Sequence, residues 1–211
     1  MYIDLIIKNL YVMKNLIKPL LLVAVMVFTS CEKESISNEL TTADLSTKAS
    51  VAAQKGDATI AGIVDSYATK ENVDDRQFTL LLAALNYAGI TSMFTGSDQY
   101  TVFAPTDAAF QRFLDGKSLS DFTPQQVAAV LSYHVTDGRR FSNSVVPKNS
   151  PRQIKTLLGE SIYVNSSAGI DTNDEDMEAN ASILVGAGLF DISASNGVIH
   201  VIDEVLVPVT D

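Results

Sequence analysis

Residues 101–110 read TVFAPTDAAF, and the order of residue types predicts a strand that turns directly into a helix. The run Tyr100–Ala104 is rich in β-forming residues, and Pro105 stops it because proline has no N–H to donate. Thr106 and Asp107 can then accept hydrogen bonds from the first free N–H groups of a following helix. The stretch therefore predicts a β-strand followed at once by a capped helix.

Further helices are predicted on both sides of this stretch. Apolar residues recur at i, i+3, i+4 and i+7 in two upstream sets, Ile60, Ile63, Val64 and Tyr67, then Phe78, Leu81, Leu82 and Leu85. Gly89 is placed to end the second of these helices. Downstream, Thr123 as N-cap, Pro124 at the first position and Gln126 at the third start a helix whose apolar stripe continues to His134.

After Val135 the chain is predicted to be mostly β. Five short apolar runs are candidate strands, namely Ile154–Leu158, Ser161–Asn165, Ile183–Val185, Phe190–Ala194 and Val198–Val207. Asn196-Gly197 lies between the last two and predicts a hairpin turn, because both residue types tolerate a positive φ. Helices first and strands second predict one α+β domain with a mainly antiparallel or mixed sheet.

The first 30 residues are typical of an export signal. From Met13 onward, lysines precede the apolar run Leu20–Phe28, and the small residues Thr29 and Ser30 lead to Cys31. A membrane-spanning helix needs about 20 apolar residues, so this run is too short to cross the bilayer. The sole cysteine directly after small residues resembles a bacterial lipoprotein signal, which implies a lipid on Cys31. An ordinary secretory signal followed by a chance cysteine is the alternative.

Residues 31–56 are predicted to be a flexible tether because they are rich in Ser, Thr and Ala without a sustained apolar period. The acidic run Glu32-Lys33-Glu34 is similar to a signal for display on the outer face of the cell, and a solvated tether is the alternative.

Composition excludes several function classes. Fifteen Lys and Arg against 25 Asp and Glu give a formal charge of −10, which has the wrong sign for a nucleic-acid binder. One cysteine and two histidines rule out a disulfide framework and make a Cys- or His-based metal site improbable. No cofactor is expected.

Two local motifs are partly similar to ligand sites. The acidic stretch Asp171–Glu178 suggests calcium, but an EF-hand needs Gly and Glu where this chain has Asp176 and Ser182, so a solvated loop is favoured and calcium stays open. Gly186-Ala187-Gly188 has Asp191 where a third nucleotide-binding glycine would fall, and the chain ends 20 residues later, so a nucleotide site is disfavoured.

The candidate nucleophiles and acids are poorly placed for catalysis. Ser132 and His134 are predicted on different sides of one helix, and Asp203 and Glu204 on opposite faces of a strand. His134 continues an apolar stripe, so it is predicted to be a core histidine hydrogen-bonded to backbone.

Three blocks together resemble the fasciclin (FAS1) domain: Thr101–Phe110, Tyr133-His134-Val135 and Asn196–Pro208, the last reading NGVIHVIDEVLVP. The resemblance extends over residues 57–208. It implies an α+β wedge with a β-sandwich-like core of about seven strands and helices packed mainly from the N-terminal half.

The resemblance also implies function. FAS1 domains are generally adhesion or interaction modules without catalytic activity, and animal members use a Tyr-His motif and an Asp-Ile pair in adhesion. The matching positions here are Tyr133-His134 and Asp191-Ile192. Leu189-Phe190 precedes Asp191 where integrin-binding versions carry polar residues, and Ile192 is equally well explained as core.

The sequence thus predicts residues 1–30 as export signal with the true start at Met13, 31–56 as lipidated cysteine and tether, 57–208 as FAS1 domain and 209–211 as tail. The predicted function is that of a lipoprotein of the outer membrane, displayed on the surface or in the periplasm, that binds an extracellular protein or polysaccharide. Its contact with the membrane would be through the lipid alone. A glycan-capture accessory is the alternative, and it requires exposed aromatic side chains, for which Tyr100, Phe141 and Tyr163 are candidates. A hydrolase would require His134 or His200 to meet a carboxylate or serine in a concave site.

Overall fold

The computed structural model describes residues 56–73, 76–172 and 178–208, which form helices and two four-stranded sheets. The export signal, Cys31, the tether up to residue 55 and most of the acidic loop lie outside the described residues. Within the described ranges, no helix is both long and apolar enough to cross a membrane.

The four predicted helices form where the sequence places them, and a short fifth helix is added. The α-helices are α1 (Ile60–Ala68), α2 (Thr79–Ala88), α3 (Asp107–Leu114), α4 (Pro124–Tyr133) and the short α5 (Ser142–Val145). Turns of 3-10 helix occupy Thr91–Phe94, Leu119–Asp121 and Val185–Ala187. Thr123 and Gln126 form the predicted capping box of α4, and Gly89 ends α2 in the left-handed region at φ 70°.

One sheet joins the first and last parts of the domain. It contains β1 (Tyr100–Pro105), β2 (Val135–Asp137), β7 (Ile192–Ala194) and β8 (Gly197–Ile202), in the order β2-β1-β8-β7. β1 and β8 are parallel neighbours, with Phe103 opposite His200, whereas the other two pairs are antiparallel. The predicted strand before Pro105 therefore lies in the interior of this sheet.

The second sheet is antiparallel throughout. It contains β3 (Arg152–Lys155), β4 (Ser161–Val164), β5 (Gly169–Asp171) and β6 (Ala181–Ser182), in that order. The expected strand at Ile183–Val185 is wrong, since Ile183 makes only an isolated bridge with Ile202 before the chain turns. The sequence does not predict β2, β5 or β6, because two or three residues carry too short a pattern.

One apolar cluster packs on each face of the central sheet, which is the sheet that contains β1 and β8. One lies between α1, α2, α4 and the sheet and includes Val102, Ala104, Ile199 and Val201. The other lies against the second sheet and includes Phe103 and Ile202 together with Ile154, Ile162 and Ile170. Because alternate residues of β1 and β8 point to opposite faces, these two strands serve both clusters and are apolar on both sides. The α+β class is confirmed, with eight strands in the described residues rather than about seven.

The predicted hairpin between β7 and β8 forms, but its turn does not depend on a positive φ at Asn196 or Gly197. Ala194 pairs with Gly197, so the turn is Ser195-Asn196, and neither Asn196 nor Gly197 is among the described residues with positive φ. The buried Asn196 side chain accepts from the Ile60 N–H at 2.8 Å and donates to the Phe94 carbonyl at 2.8 Å. A Cβ at Gly197 would overlap the Tyr100 carbonyl oxygen, so glycine is required by the close approach of β1.

Candidate functional site

Tyr133 closes the end of α4 and is buried, with 1% of its surface exposed. Its hydroxyl donates to the Ser161 carbonyl at 3.0 Å, which ties α4 to β4. Burial, followed by the charge of Glu160, raises the pKa of Tyr133 to about 12. The Tyr133 side chain therefore links α4 to the second sheet.

His134 is the predicted core histidine. It is 2% exposed, its Nδ1 lies 2.7 Å from the Val130 carbonyl, and its Nε2 accepts from the Leu206 N–H at 2.9 Å. A carbonyl partner at Nδ1 and an N–H partner at Nε2 define the neutral tautomer with the proton on Nδ1. Burial lowers the pKa of His134 to about 4. The ring thus joins α4 to the segment that follows β8.

His200 on β8 is also buried and committed to backbone. Its Nε2 lies 2.9 Å from the Arg140 carbonyl, and its Nδ1 accepts from the Asp191 N–H at 3.3 Å. These partners place the proton on Nε2 and leave the ring neutral. Burial lowers the pKa of His200, more strongly than the Arg140 carbonyl and the nearby Asp191 carboxylate raise it.

Asp191 completes this network from a strained position at φ 54°. Its Oδ1 accepts from the Ser142 N–H at 2.6 Å and its Oδ2 from the Ser142 hydroxyl at 2.5 Å, at the first residue of α5. Its carboxylate lies 3.8 Å from His200 Nδ1. Asp191 and His200 together therefore fix the chain from Arg140 to Ser142.

The four predicted adhesion residues differ in exposure. Tyr133 and His134 are buried, whereas Asp191 and Ile192 are half-buried, with Ile192 packed against the first apolar cluster. The central sheet connects Tyr133-His134 with Asp191-Ile192. The Phe103 N–H donates to the His134 carbonyl, and Phe103 lies opposite His200, which accepts from the Asp191 N–H. A part in adhesion stays a prediction for all four, and their contacts give each a structural role.

An open groove lies next to this network. It has a volume of about 400 Å³ and draws its walls from three separate segments, with lining residues Ser142, Asn143, Val146, Ser166, Ser167, Ala168, Val185 and Phe190. We call it the α5 groove. Sequence reasoning missed it because no single segment carries its pattern. The closest signal was the unusual Leu189-Phe190 before Asp191.

A second groove, of about 300 Å³, lies between α3 and α4. Its lining is apolar apart from one amide side chain, and comprises Phe110, Phe113, Leu119, Phe122, Gln126, Val127, Ala129, Val130, Leu131, Val207 and Pro208. Gln126 Oε1 is already bonded to the Thr123 N–H of the α4 cap.

The three aromatic side chains that the glycan-capture alternative requires to be exposed are only partly accessible to solvent. Tyr100, Phe141 and Tyr163 are each half-buried, and Tyr100 packs edge-on against Phe94 at 5.8 Å. Large apolar side chains that are exposed in the described part of the chain are aliphatic, namely Val73, Leu157, Val185 and Val207.

The described ranges contain no candidate metal site, because no three His, Cys, Asp or Glu side chains there come together in a way that could hold an ion. Residues 173–177 of the acidic loop lie outside those ranges, so calcium binding there stays open.

Buried histidines bracing a mixed sheet, with helices over one face and a second sheet over the other, define an α+β domain of the FAS1 type. The structure is similar to a solved FAS1 domain pair from the insect cell adhesion molecule fasciclin I, with a TM-score of 0.53 and 18% identity, covering 72% of this chain and 51% of that one. The fasciclin domain model matches residues 76–208, and the chain belongs to the fasciclin family.

Two curated relatives illustrate the range of the family. The transforming growth factor-beta-induced protein ig-h3 of Sus scrofa is 33% identical over 135 residues, which are 64% of this chain and 18% of that protein. The protein sll1735 of Synechocystis is 32% identical over 136 residues, which are 64% of this chain and 92% of that protein. The chain thus spans under a fifth of ig-h3 but nearly all of the cyanobacterial protein.

Proposed function

We propose that this chain is a non-catalytic adhesion or interaction module, held outside the cytoplasm by a lipid on Cys31. The observation that carries the proposal is the fasciclin match over residues 76–208, in a family that includes an insect cell adhesion molecule. The export-signal pattern that ends at Cys31 supports the location.

The chemistry of the histidines supports a role without catalysis. Each ring of His134 and His200 uses both nitrogens on backbone groups, so neither nitrogen is free to accept a proton from a substrate. The Asp191 carboxylate is similarly engaged with Ser142. A hydrolase mechanism based on these residues would first have to break the contacts that hold the fold together.

The α5 groove is the surface that best fits an interaction role. Its Asn143, Ser166 and Ser167 are exposed, and its wall at Ser142 is fixed by Asp191, the residue that matches the adhesion motif of animal members. Adhesion is favoured over an accessory role in a glycan-capture system, because the aromatic candidates that this role requires, Tyr100, Phe141 and Tyr163, are half-buried.

Membrane attachment is tested by fractionating cells that express the full-length chain. We expect the native chain in the membrane fraction and labelled by a radioactive fatty acid, and the Cys31→Ser variant in the soluble fraction without label. A Cys31→Ser chain that stays membrane-bound would rule out the lipid anchor.

Adhesion is tested with beads coated with the full-length chain and presented to whole cells and to extracellular matrix. Ser167→Trp, which fills the α5 groove, should reduce attachment, and Gln111→Trp at an exposed position of α3 is the matched control. Coated beads that attach no better than beads carrying the unfolded chain would overturn the adhesive function.

A further inference from the structure

A basic segment stands out in this acidic chain. Residues 138–155 contain no carboxylate and carry five cationic side chains, Arg139, Arg140, Lys148, Arg152 and Lys155, although the formal charge of the whole chain is −10. Such a local concentration of one sign creates a positive surface potential even where the net charge is negative.

The fold holds this basic segment in place at both ends. It leaves the central sheet after β2 and returns beside it, where the Thr136 hydroxyl donates to the Lys155 carbonyl at 2.8 Å and the Leu157 N–H to the Val135 carbonyl at 2.7 Å. Asp191 and His200 fix its first half, and the Arg152 guanidinium donates to the Ser144 carbonyl of α5. The cations are therefore displayed on an ordered scaffold.

None of the five cations forms an ion pair with a described carboxylate. Among the described residues, the ion pair between permanently charged side chains is Arg112 with Glu204, and it includes none of the five cations. Arg140, Lys148 and Lys155 are exposed, and the one side-chain hydrogen bond that Arg140 makes to a described residue runs from its Nε to the Asp137 carbonyl at 3.2 Å. The fork of the Arg140 guanidinium is thus available to a carboxylate.

Arg139 connects the basic segment to the α5 groove. Its guanidinium lies over the Phe141 ring at 5.3 Å and donates to the Ser193 hydroxyl, while its Nε is buried without a hydrogen-bond partner among the described residues. Three residues later the chain reaches Ser142, which lines the groove. Arg139 and Arg140 therefore precede α5 directly, and Arg152 contacts α5 from the following strand.

We propose that the α5 groove and the basic segment together bind an acidic polysaccharide that carries uronate carboxylates. Arg and Lys side chains pair with carboxylates, and a guanidinium fork does so with two parallel hydrogen bonds. The hydroxyl and amide groups at the groove rim match sugar hydroxyls, while Val185 and Phe190 offer apolar contact to the C–H faces of the rings. This inference rests on the proposed function, since it names the ligand of the adhesive surface.

The test measures binding of the full-length chain to immobilised polygalacturonate, with neutral dextran as reference. We expect saturable binding to polygalacturonate that weakens as salt is raised, because exposed charges are screened. The triple variant Arg140→Gln, Lys148→Gln and Lys155→Gln should raise the Kd by at least about tenfold, which corresponds to about 1.4 kcal/mol. All three side chains are exposed, so the fold is retained.

The matched control removes three positive charges elsewhere, through Lys70→Gln, Arg76→Gln and Lys117→Gln. It should leave the Kd within about twofold of the native value, since these three charges belong neither to the basic segment nor to the lining of the groove. If the control and test variants lose the same affinity, binding depends only on the net charge of the chain, and the proposed binding site is wrong. Binding to dextran alone, to anionic phospholipid vesicles alone, or to an acidic protein but not to polygalacturonate would also overturn it.

The two proposals fail in different ways. If the test variant still attaches to matrix as well as the native chain does, the acidic polysaccharide is the wrong ligand and the adhesive function stands. If the native chain binds polygalacturonate through these cations but attaches to neither cells nor matrix, the ligand stands and adhesion fails.

Discussion

Asp191 holds Ser142 through two hydrogen bonds across 49 positions of sequence, one to the backbone N–H at 2.6 Å and one to the hydroxyl at 2.5 Å. The contact places the start of α5 against the end of the sheet and sets one wall of the α5 groove. A residue that matches the adhesion motif of the family thus has a definite structural task in this chain.

Replacing Asp191 should therefore destabilise the domain. Asp191→Ala removes both bonds and puts a poorly tolerated residue at φ 54°, so we expect a loss of about 2 kcal/mol in unfolding free energy. Asp191→Asn keeps one acceptor and tolerates this φ, so its loss should be below about 1 kcal/mol. Urea unfolding measures both, with the exposed Asp137→Ala as control. Equal stability of all three variants would show that the Ser142 contact contributes nothing.

His134 should make stability depend on pH. The pKa of His134 is about 4 in the folded chain, against about 6.5 when unfolded, so the unfolded state binds more protons between these values. Its contribution is therefore complete above pH ~6.5 and is lost as the pH falls toward 4, by about 3 kcal/mol in total. His200 acts in the same direction, because burial also lowers its pKa.

Comparison with His134→Ala separates the two histidines. Near pH 7 this variant should lose about 1–3 kcal/mol, because the buried N–H of Leu206 has no acceptor. Between pH 6.5 and 4 its stability should fall less steeply than that of the native chain. Identical slopes in the two unfolding series would contradict a neutral, buried His134.

Asn196 should be more sensitive than its position in a turn suggests. Asn196→Ala leaves the N–H of Ile60 and the carbonyl of Phe94 without their partner, and we expect a loss of about 2–3 kcal/mol. Thermal unfolding measures it, with Asn143→Ala as the control in which the same side chain is removed from an exposed site. Loss of stability to the same small extent in both variants would refute the bridging role.

Asp107 should stabilise a helix other than its own. Its carboxylate accepts from the Thr79 N–H at 3.2 Å, from the Leu80 N–H at 2.8 Å and from the Thr79 hydroxyl, where Phe78 offers no side-chain cap to α2. Asp107→Ala should therefore cost about 1–2 kcal/mol. Hydrogen exchange should show the added opening at the start of α2, and replacement of the exposed Asp65 of α1 by Ala is the control. Faster exchange in α3 instead would mean that Asp107 serves only its own helix.

Local signals in the sequence determined much of the fold. The capping box at Thr123 and Gln126, the i, i+3, i+4 pattern from Ile60 and the stop at Gly89 depend on contacts within a few residues, so the sequence alone predicts them. The burial of His134 followed from its place at the end of an apolar stripe. The same locality explains why the strand near Ile183 was placed wrongly, since its bridge to Ile202 is decided by distant residues.

Tertiary structure alone decided the register of the sheet and the composition of the candidate site. Only the parallel pairing of β1 and β8 brings Phe103 opposite His200, and only the packing of three segments forms the α5 groove. Asp107 serves α2 and Asn196 joins Ile60 to Phe94 for the same reason, because long-range hydrogen bonds follow from the packed arrangement of elements. The sequence determined which residue types were present, and folding determined which of them meet.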